Sequence, residues 1–302
     1  MDVAQVMTGP HIQPVFEAKT GTFQYIVQDR SSGASVIIDP VLDFDPCTST
    51  ISTTSADALL ELVSKDGLDI YYILETHAHA DHISAASYLQ AQLSKTGRRP
   101  QIGIGKRIDQ VQKLFGARYD VPSSEYSVAF DRYFTDDETF TVGDMQITAM
   151  HLPGHTPDHL GYRIGANVFC GDSLFHIDIG TARTDFPGGS APALWASIQR
   201  LLALPDETHI WTGHDYPPEG RKEPVPAMTV RQHKEENRHV GAGRSEDEFV
   251  DMRTQRDAAL GAPRLLHQSL QVNVRGGKLP KADEGGRRML IVPLDLHSAD
   301  IW

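Results

Sequence analysis

The chain has 302 residues and a net charge of −12, a balance that argues against nucleic acid or an anionic membrane surface as a general partner. Its composition, 40% hydrophobic and 23% charged, suits a soluble protein that can bury a sizeable core, and no apolar run is long enough to cross a membrane. The first residues, MDVAQVMTGPHIQ, contain neither a basic region with an apolar core nor an Arg-rich amphipathic pattern, so we expect a cytoplasmic protein.

The first part of the chain alternates predicted strands and helices. The turn at 31–33 separates two apolar, β-branched runs, which is typical of a hairpin. Apolar residues at helical spacing then alternate with two further short apolar runs. The predicted elements are strands at 23–28 and 35–39, a helix at 54–67, a strand at 70–74, a helix at 83–94, a strand at 100–105 and a helix that begins at 108.

From residue 126 onward the pattern changes to short strands, and beyond about residue 220 it weakens. Gly143-Asp144 forms a good two-residue hairpin turn between two of these strands. The alternation in each half of the first 220 residues predicts an α/β sandwich of two sheets flanked by helices. The predicted elements are strands at 139–142, 145–150, 160–164 and 168–170, a helix at 192–204, a strand at 208–212, a charged helix at 228–239, a polar and partly helical segment at 241–262 and a strand-bearing tail at 264–302.

The stretch LDIYYILETHAHADH, residues 68–82, contains the highest density of potential metal ligands in the sequence. Its apolar half suits a strand buried on both faces, and the loop that follows lies at the strand's carboxyl end, where open α/β sheets place their sites. Imidazole and carboxylate ligands suit zinc, iron or manganese, and the absence of cysteine here argues against a structural thiolate site. Four potential ligands stand in this loop: His77, His79, Asp81 and His82.

Three further potential ligands each follow a predicted strand. They are His155 in LPGHTPDH, Asp172 in CGDS and His214 in TGHDY. Taken singly, each is more typical of a surface or satisfied core residue, but together with the loop they form a set of seven that converges on one sheet edge. Glycines beside them permit the tight turns that aim a side chain inward. The sequence therefore predicts a catalytic metal site.

In this order, the motifs THAHADH, PGH, GD and TGHD resemble those of the metallo-β-lactamase superfamily, and the resemblance covers roughly residues 15–217. It implies an αββα sandwich of the α/β class, with the metal site at one edge of the two sheets. We therefore expect a catalytic domain of this fold at 12–220. A C-terminal extension at 221–302, helical and strand-bearing, should pack on it.

One branch of the superfamily, the binuclear hydrolases such as glyoxalase II, implies two zinc ions in this chain. Such a pair would lower the pKa of a bridging water and stabilise a tetrahedral transition state. The resemblance assigns one ion to His77, His79 and His155. It assigns the other to Asp81, His82 and His214, with Asp172 between the two.

A second branch, the persulfide dioxygenases, implies one Fe(II) per chain, held by His77, His155 and Asp172. This 2-His-1-carboxylate set leaves positions open for O₂ and for a substrate sulfur. The remaining residues of the set would orient the ligands by hydrogen bonds and balance the charge of the site. They are His79, Asp81, His82 and His214.

Two local stretches favour the dioxygenase. Residues 183–186, Arg-Thr-Asp-Phe, are similar to a signature of that branch, whereas glyoxalase II enzymes usually have Arg-Phe-Phe-Glu there. His214 is followed by Asp215-Tyr216 rather than by the Glu-Tyr typical of glyoxalase II. One departure from the dioxygenase pattern is Gly180-Thr181-Ala182 in place of Gly-Cys-Gly, which removes a cysteine from the pocket wall.

The resulting hypothesis is a persulfide dioxygenase that uses O₂ to oxidise a glutathione-type persulfide to sulfite and glutathione; a zinc thioester hydrolase is the alternative. Arg183, Tyr216 and Asp81 are the candidate catalytic residues. A salt bridge that fixes its loop is an equal alternative for Arg183, and aromatic packing is one for Tyr216. The charged helix at 228–239 is expected to form a solvated face, with contact to a glutathione carboxylate as a lesser alternative. A homodimer is left open.

Overall fold

The computed structural model describes residues 9–294, and its first half contains nine strands and four helices within that range. The predicted strands and helices up to residue 118 are present, with ends that differ by a few residues. In chain order these elements are β1 (His11–Glu17), β2 (Thr22–Gln28), β3 (Ala34–Ile38), β4 (Val41–Asp45), β5 (Thr50–Ser52), α1 (Thr54–Lys65), β6 (Asp69–Leu74), β7 (Ile83–Ser84), α2 (Ala86–Thr96), β8 (Gln101–Gly105), α3 (Ile108–Arg118), α4 (Ser123–Tyr126) and β9 (Arg132–Phe134).

The second half continues with strands as far as residue 229 and ends in helices. Every helix between residues 9 and 294 is too short or too polar to cross a bilayer. The elements are β10 (Glu138–Val142), β11 (Met145–His151), β12 (Leu160–Ile164), β13 (Asn167–Phe169), α5 (Ala191–Leu202), β14 (His209–Trp211), β15 (Ala227–Thr229), α6 (Val230–Glu236), α7 (Glu246–Ala258) and α8 (Leu266–Asn273).

Two six-stranded sheets form the centre of the molecule. The first has the order β1-β2-β3-β6-β8-β9 and the second the order β10-β11-β12-β13-β14-β15, while β5-β4-β7 form a small third sheet. Strand β6 runs parallel to both of its neighbours, β3 and β8. Its central position explains its apolar sequence, because a parallel strand between two others is covered on both faces.

Three apolar clusters divide the molecule into four layers. One cluster lies between the two sheets and joins residues such as Tyr25 and Val36 of the first sheet to Ile147 and Tyr162 of the second. A second cluster lies between the first sheet and helices α1, α2, α3 and α8, and a third between the second sheet and helices α5 and α7. The layers are therefore helix, sheet, sheet and helix, so the predicted αββα sandwich is confirmed.

Three predicted elements differ from the structure. The helix expected at 228–239 spans only Val230–Glu236, because residues 227–229 pair with β14. The helix expected from residue 83 begins at Ala86, because Ile83 and Ser84 pair with β4 instead. Helix α8 occupies part of the tail that we expected to contain strands, because its Leu270 and Val272 are buried in the cluster of the first sheet's helical layer. Residues 295–302 of that predicted tail lie outside the described residues.

The division of the chain at residue 220 stays a prediction. Strand β15, which follows this position, pairs with β14 and completes the second sheet. Helix α7 packs against α5, and α8 packs against β7. The segment after residue 220 therefore supplies both a strand of the sandwich and helices on its two outer layers.

The turn at Gly143 offers a stability test with a matched control. Gly143 has φ +58°, and a Cβ there would lie 2.3 Å from Asp29 Oδ2, the carboxylate oxygen that accepts from Asp144 N. Gly165 has nearly the same φ, +59°, with open space around its Cβ position.

We expect Gly165→Ala to cost about 1 kcal/mol of unfolding free energy from backbone strain alone. Gly143→Ala should cost about 2–4 kcal/mol, because it also disturbs a charge-assisted hydrogen bond. Urea unfolding measures both, and equal losses would contradict the contact argument.

Candidate metal centre

The loop that carries the first four potential ligands begins at the carboxyl end of β6. Thr76, its second residue, donates its backbone N–H and its hydroxyl to the two carboxylate oxygens of Asp39, at 2.7 and 2.8 Å. Ala78 N donates to Asp158 Oδ2 at 2.9 Å. Asp39 directly follows β3 and Asp158 lies just before β12, so carboxylates from both sheets fix the path of this loop.

His77, His155 and Asp172 form the first group of ligand atoms, which lie within 4.8 Å of one another. Nε2 of His155 is 3.6 Å from Asp172 Oδ2. Within residues 9–294, the buried atoms His77 Nε2 and Asp172 Oδ1 have no hydrogen-bond partner. Burying polar atoms without partners costs free energy, so their convergence indicates a group that binds a metal ion.

Hydrogen bonds on the far side of each ring aim these ligands at one point. His155 Nδ1 donates to the carbonyl of Arg183 at 2.8 Å, and His77 Nδ1 lies 3.0 Å from the hydroxyl of Thr76. His159 Nε2 accepts from the backbone N–H of Asp172 at 2.9 Å. Such partners fix the orientation of metal ligands. Two histidines and one carboxylate with this support suit Fe(II) or Zn²⁺.

The second group contains His79, Asp81 and His82, whose ligand atoms also lie within 4.8 Å of one another. Asp81 Oδ2 is 3.2 Å from His214 Nε2, which is in turn 3.5 Å from Asp172 Oδ1. Within the described range, His79 Nδ1 and His82 Nε2 are buried without hydrogen-bond partners. The structure thus brings all seven predicted residues to one edge of the sandwich, and their division between one ion and two stays a prediction.

The pKa values of these rings shift in two directions, toward the neutral, metal-binding form for His77 and His82 and toward the protonated form for His79. Burial, together with neighbouring histidines, holds the pKa of His77 well below its usual value, and burial also lowers the pKa of His82. Burial opposes a charge on His79, but the carboxylates of Asp39 and Glu75 outweigh it and hold the pKa of His79 well above its usual value. His79 Nε2 lies 3.1 Å from the Asp39 carboxylate and 3.2 Å from that of Glu75. This pairing keeps a proton on Nε2 and leaves Nδ1 as the atom that faces the site.

A cavity of about 410 Å³ opens onto the first group. Asp81, His155 and Asp172 line its floor, and the rest of its wall combines apolar and cationic side chains. Three larger grooves elsewhere on the described surface are lined by none of the seven ligand-type residues. The wall residues are Ala80, Phe175, Ile179, Thr181, Ala182, Arg183, Tyr216, Arg253, Arg256, Leu260 and Pro263.

Arg183 and Tyr216 both line this cavity, as we predicted for substrate-contacting residues. The guanidinium of Arg183 makes two hydrogen bonds of 2.5 Å to the Asp185 carboxylate, so the salt bridge proposed as its structural alternative is present. The ring of Tyr216 stacks on His214, with centroids 5.7 Å apart, and is 49% exposed. Both residues therefore combine a structural contact with a position from which they can reach a substrate, and their catalytic roles stay predictions.

Several residues that support the centre were missed by the sequence analysis. Asp39 is the last residue of a predicted strand, and the rule that placed His155 and Asp172 at strand ends could have found it. The same rule could have found Glu75, which directly follows the predicted strand at 70–74. His159 and Asn273 had no such signal, because their partners are distant in sequence or are backbone atoms. The helix at 228–239, predicted as a solvated face, is shorter and partly buried, because Val230 and His233 of its first two turns are 0% and 1% exposed.

Comparison with known proteins agrees with the architecture. The family described as the Metallo-beta-lactamase superfamily matches residues 19–214. A beta-lactamase hydrolase-like protein of Xylella fastidiosa is 44% identical over 299 residues, 99% of this chain and 68% of that protein. Glyoxylase B2 of Dictyostelium discoideum is 40% identical, over 93% of this chain and 95% of that protein. The human mitochondrial persulfide dioxygenase ETHE1 is 29% identical, over 68% of each.

Among solved structures, the crystal structure of ETHE1 from Myxococcus xanthus superimposes with a TM-score of 0.69 and 27% sequence identity. The match covers 89% of this chain and all of that one. The order of the strands, the seven ligand-type residues at one edge of the sandwich and these similarities lead to one assignment. The chain belongs to the metallo-beta-lactamase superfamily, in the branch that includes persulfide dioxygenases and glyoxalase II-type enzymes.

Proposed function

We propose that this chain is a persulfide dioxygenase with one Fe(II), which oxidises glutathione persulfide to sulfite and glutathione. The observation that carries the proposal is the position of the Arg-Thr-Asp-Phe loop. The carbonyl of Arg183 holds His155, the ring of Phe186 lies 6.5 Å from that of His155, and the side chain of Arg183 lines the cavity. The stretch that favours the dioxygenase in the sequence therefore contacts a ligand of the three-residue group.

In the proposed reaction the outer sulfur of the persulfide gives four electrons to one O₂, whose two oxygen atoms end on that sulfur. One water supplies the third oxygen of sulfite as the sulfur–sulfur bond breaks, and glutathione leaves as the thiol. Fe(II) would supply the redox chemistry that activates O₂. His77, His155 and Asp172 would hold the ion, and two of these ligands, His155 and Asp172, line the cavity.

The cavity wall suits an anionic thiol. Arg253 is paired with Asp257, and Arg183 with Asp185, whereas Arg256 makes no ion pair within residues 9–294. A cation at the cavity mouth would attract a substrate carboxylate, which the overall negative charge of the protein would otherwise repel. The apolar side chains of the wall would limit the access of bulk water to the reacting sulfur. Glutathione persulfide matches both properties of this wall. Its carboxylates, one at each end, suit the cation, and its reactive sulfur between them suits the apolar side chains.

A second candidate is a binuclear zinc hydrolase of thioesters. Its supporting observation is the intact second group: His79 Nδ1 and His82 Nε2 lack partners in the described residues, and Asp81 and His214 lie 3.2 Å apart beside them. The names of the beta-lactamase hydrolase-like and glyoxylase relatives agree with it. With two ions, the chemistry supplied would be an activated water rather than O₂ activation.

Oxygen uptake distinguishes these candidates. Protein loaded anaerobically with Fe(II) should carry about one iron per chain, consume O₂ when given glutathione persulfide, and release sulfite in a one-to-one ratio. S-lactoylglutathione should be cleaved slowly or not at all by the same preparation. Chelator-treated protein is the control for both assays. Rapid thioester hydrolysis without O₂ uptake, in protein that carries two zinc ions, would replace the dioxygenase by the hydrolase.

A further inference from the structure

Asn273, the last residue of α8, lies against the metal-bearing loop although 191 residues separate it from His82. Its side-chain amide donates to the carbonyls of His79 and His82, at 2.8 and 2.9 Å. Its Oδ1 accepts from the backbone N–H of Ser84 at 2.9 Å. One buried amide, 4% exposed, thus holds the loop at both ends of the segment that contains His79, Asp81 and His82.

The contact extends from Ser84 to the ring of His79. The Ser84 hydroxyl donates to one oxygen of Glu75, and the other oxygen of Glu75 lies 3.2 Å from His79 Nε2. Asn273 therefore acts on His79 through the backbone carbonyl of His79 and through a chain of two hydrogen bonds and one ion-pair contact behind its ring. A buried network in which each member depends on the next holds a geometry more tightly than separate contacts do.

The chain after Asn273 is shaped to keep this contact close. Gly276 and Gly277 have φ of +66° and +78°, a left-handed conformation that glycine adopts without strain. A Cβ at Gly277 would lie 3.0 Å from the Ser84 carbonyl, and one at Gly276 would lie 2.7 Å from that of Ala129. The backbone of the C-terminal segment thus approaches Ser84, just beyond the loop, at Gly277 and Ala129 at Gly276, with little room for a side chain at either position.

We propose that Asn273 is a positioning residue of the metal centre, through which the C-terminal segment sets the geometry of the loop from His79 to His82. This inference concerns the metal centre and holds for either proposed reaction. The competing explanation is that Asn273 contributes only to the stability of the fold. The two explanations differ in what happens to a bound metal when the protein remains folded.

Gln271 provides a matched control on the same helix. It is 3% exposed, and its side chain also makes three hydrogen bonds, to the carbonyls of His267 and Ile291 and from the N–H of Ile291. None of these partners belongs to the metal-bearing loop. Gln271→Ala therefore removes a comparable set of buried contacts from α8 and leaves the loop untouched.

The test uses Co²⁺ as a probe that needs no enzyme assay. We expect Asn273→Ala to weaken Co²⁺ binding about 10- to 100-fold in chelator competition and to shift the visible absorption of the bound ion, as changes behind metal ligands typically do. Gln271→Ala should lower the melting temperature but keep Co²⁺ affinity and absorption at their original values. Asn273→Leu, which fills the space but forms no hydrogen bond, should behave as Asn273→Ala does and serves if the alanine variant does not fold.

Unchanged Co²⁺ affinity and absorption in a folded Asn273 variant would overturn the proposal and leave only a structural role. The proposal also fails if Gln271→Ala weakens Co²⁺ binding as much as the Asn273 variants do. Co²⁺ binding is measured without substrate, so a failure of the persulfide assay leaves the Co²⁺ result intact. A failure of the Co²⁺ test likewise leaves the persulfide assay intact.

Discussion

His155→Ala is expected to abolish both iron binding and turnover. Its Nε2 faces Asp172 Oδ2 at 3.6 Å, and its Nδ1 is held by the Arg183 carbonyl, so the ring presents one atom to the three-residue group. A set of two histidines and one carboxylate contains no spare protein ligand. Loss of one should therefore release the ion. Iron content by elemental analysis and O₂ uptake measure the two effects, and circular dichroism shows whether the variant is folded.

His82→Ala is the matched control, because it removes another buried histidine of the same edge. If a single iron is bound by the first group, His82→Ala should keep most of the iron while turnover falls by about 10- to 100-fold, since His82 then acts only by orienting neighbours such as Asp81, 3.3 Å from its ring. In a binuclear site both histidines are ligands. An equal loss of metal in the two variants would therefore favour the hydrolase.

Arg183→Ala should raise the KM for glutathione persulfide by about 10- to 100-fold and leave the iron content unchanged. The side chain lines the cavity, and a charge-assisted hydrogen bond to substrate is worth about 1.5–3 kcal/mol. Iron should stay, because the contact with His155 comes from the Arg183 carbonyl, which alanine retains. Steady-state kinetics and metal analysis of the same preparation give both results.

Asp185→Asn separates the two roles of Arg183. It weakens the salt bridge but leaves the guanidinium in the cavity wall. If Arg183 binds substrate, Asp185→Asn should change KM only slightly. If Arg183 serves only to fix its loop, the two variants should be impaired to the same degree, a result that would remove Arg183 from the candidate catalytic residues.

The layered fold could be predicted from the sequence because its signals are local. A continuous apolar run marks β6 as a central strand, and the glycine turn at Gly143 joins two strands that do form a hairpin. The errors lie where distant pairing overrides local pattern. Ile83 and Ser84 fit a helical stripe, yet they pair with Val41 and Leu42 of β4. The tail around α8 has little pattern of its own and takes its structure from the layer on which it packs.

The same distinction holds for the metal centre. Seven ligand-type residues were found from the sequence, because short motifs at strand ends are visible without knowing the fold, and the topology then brings those ends together. Only the tertiary structure decided what holds them: Asp39 and Glu75 behind His79, the Arg183 carbonyl behind His155, and Asn273 under the loop. Most of these supports are backbone atoms or buried polar groups whose partners lie far away along the chain; the exception is Glu75, four residues before His79. No local pattern encodes such a contact, since it exists only when packing brings the two segments together.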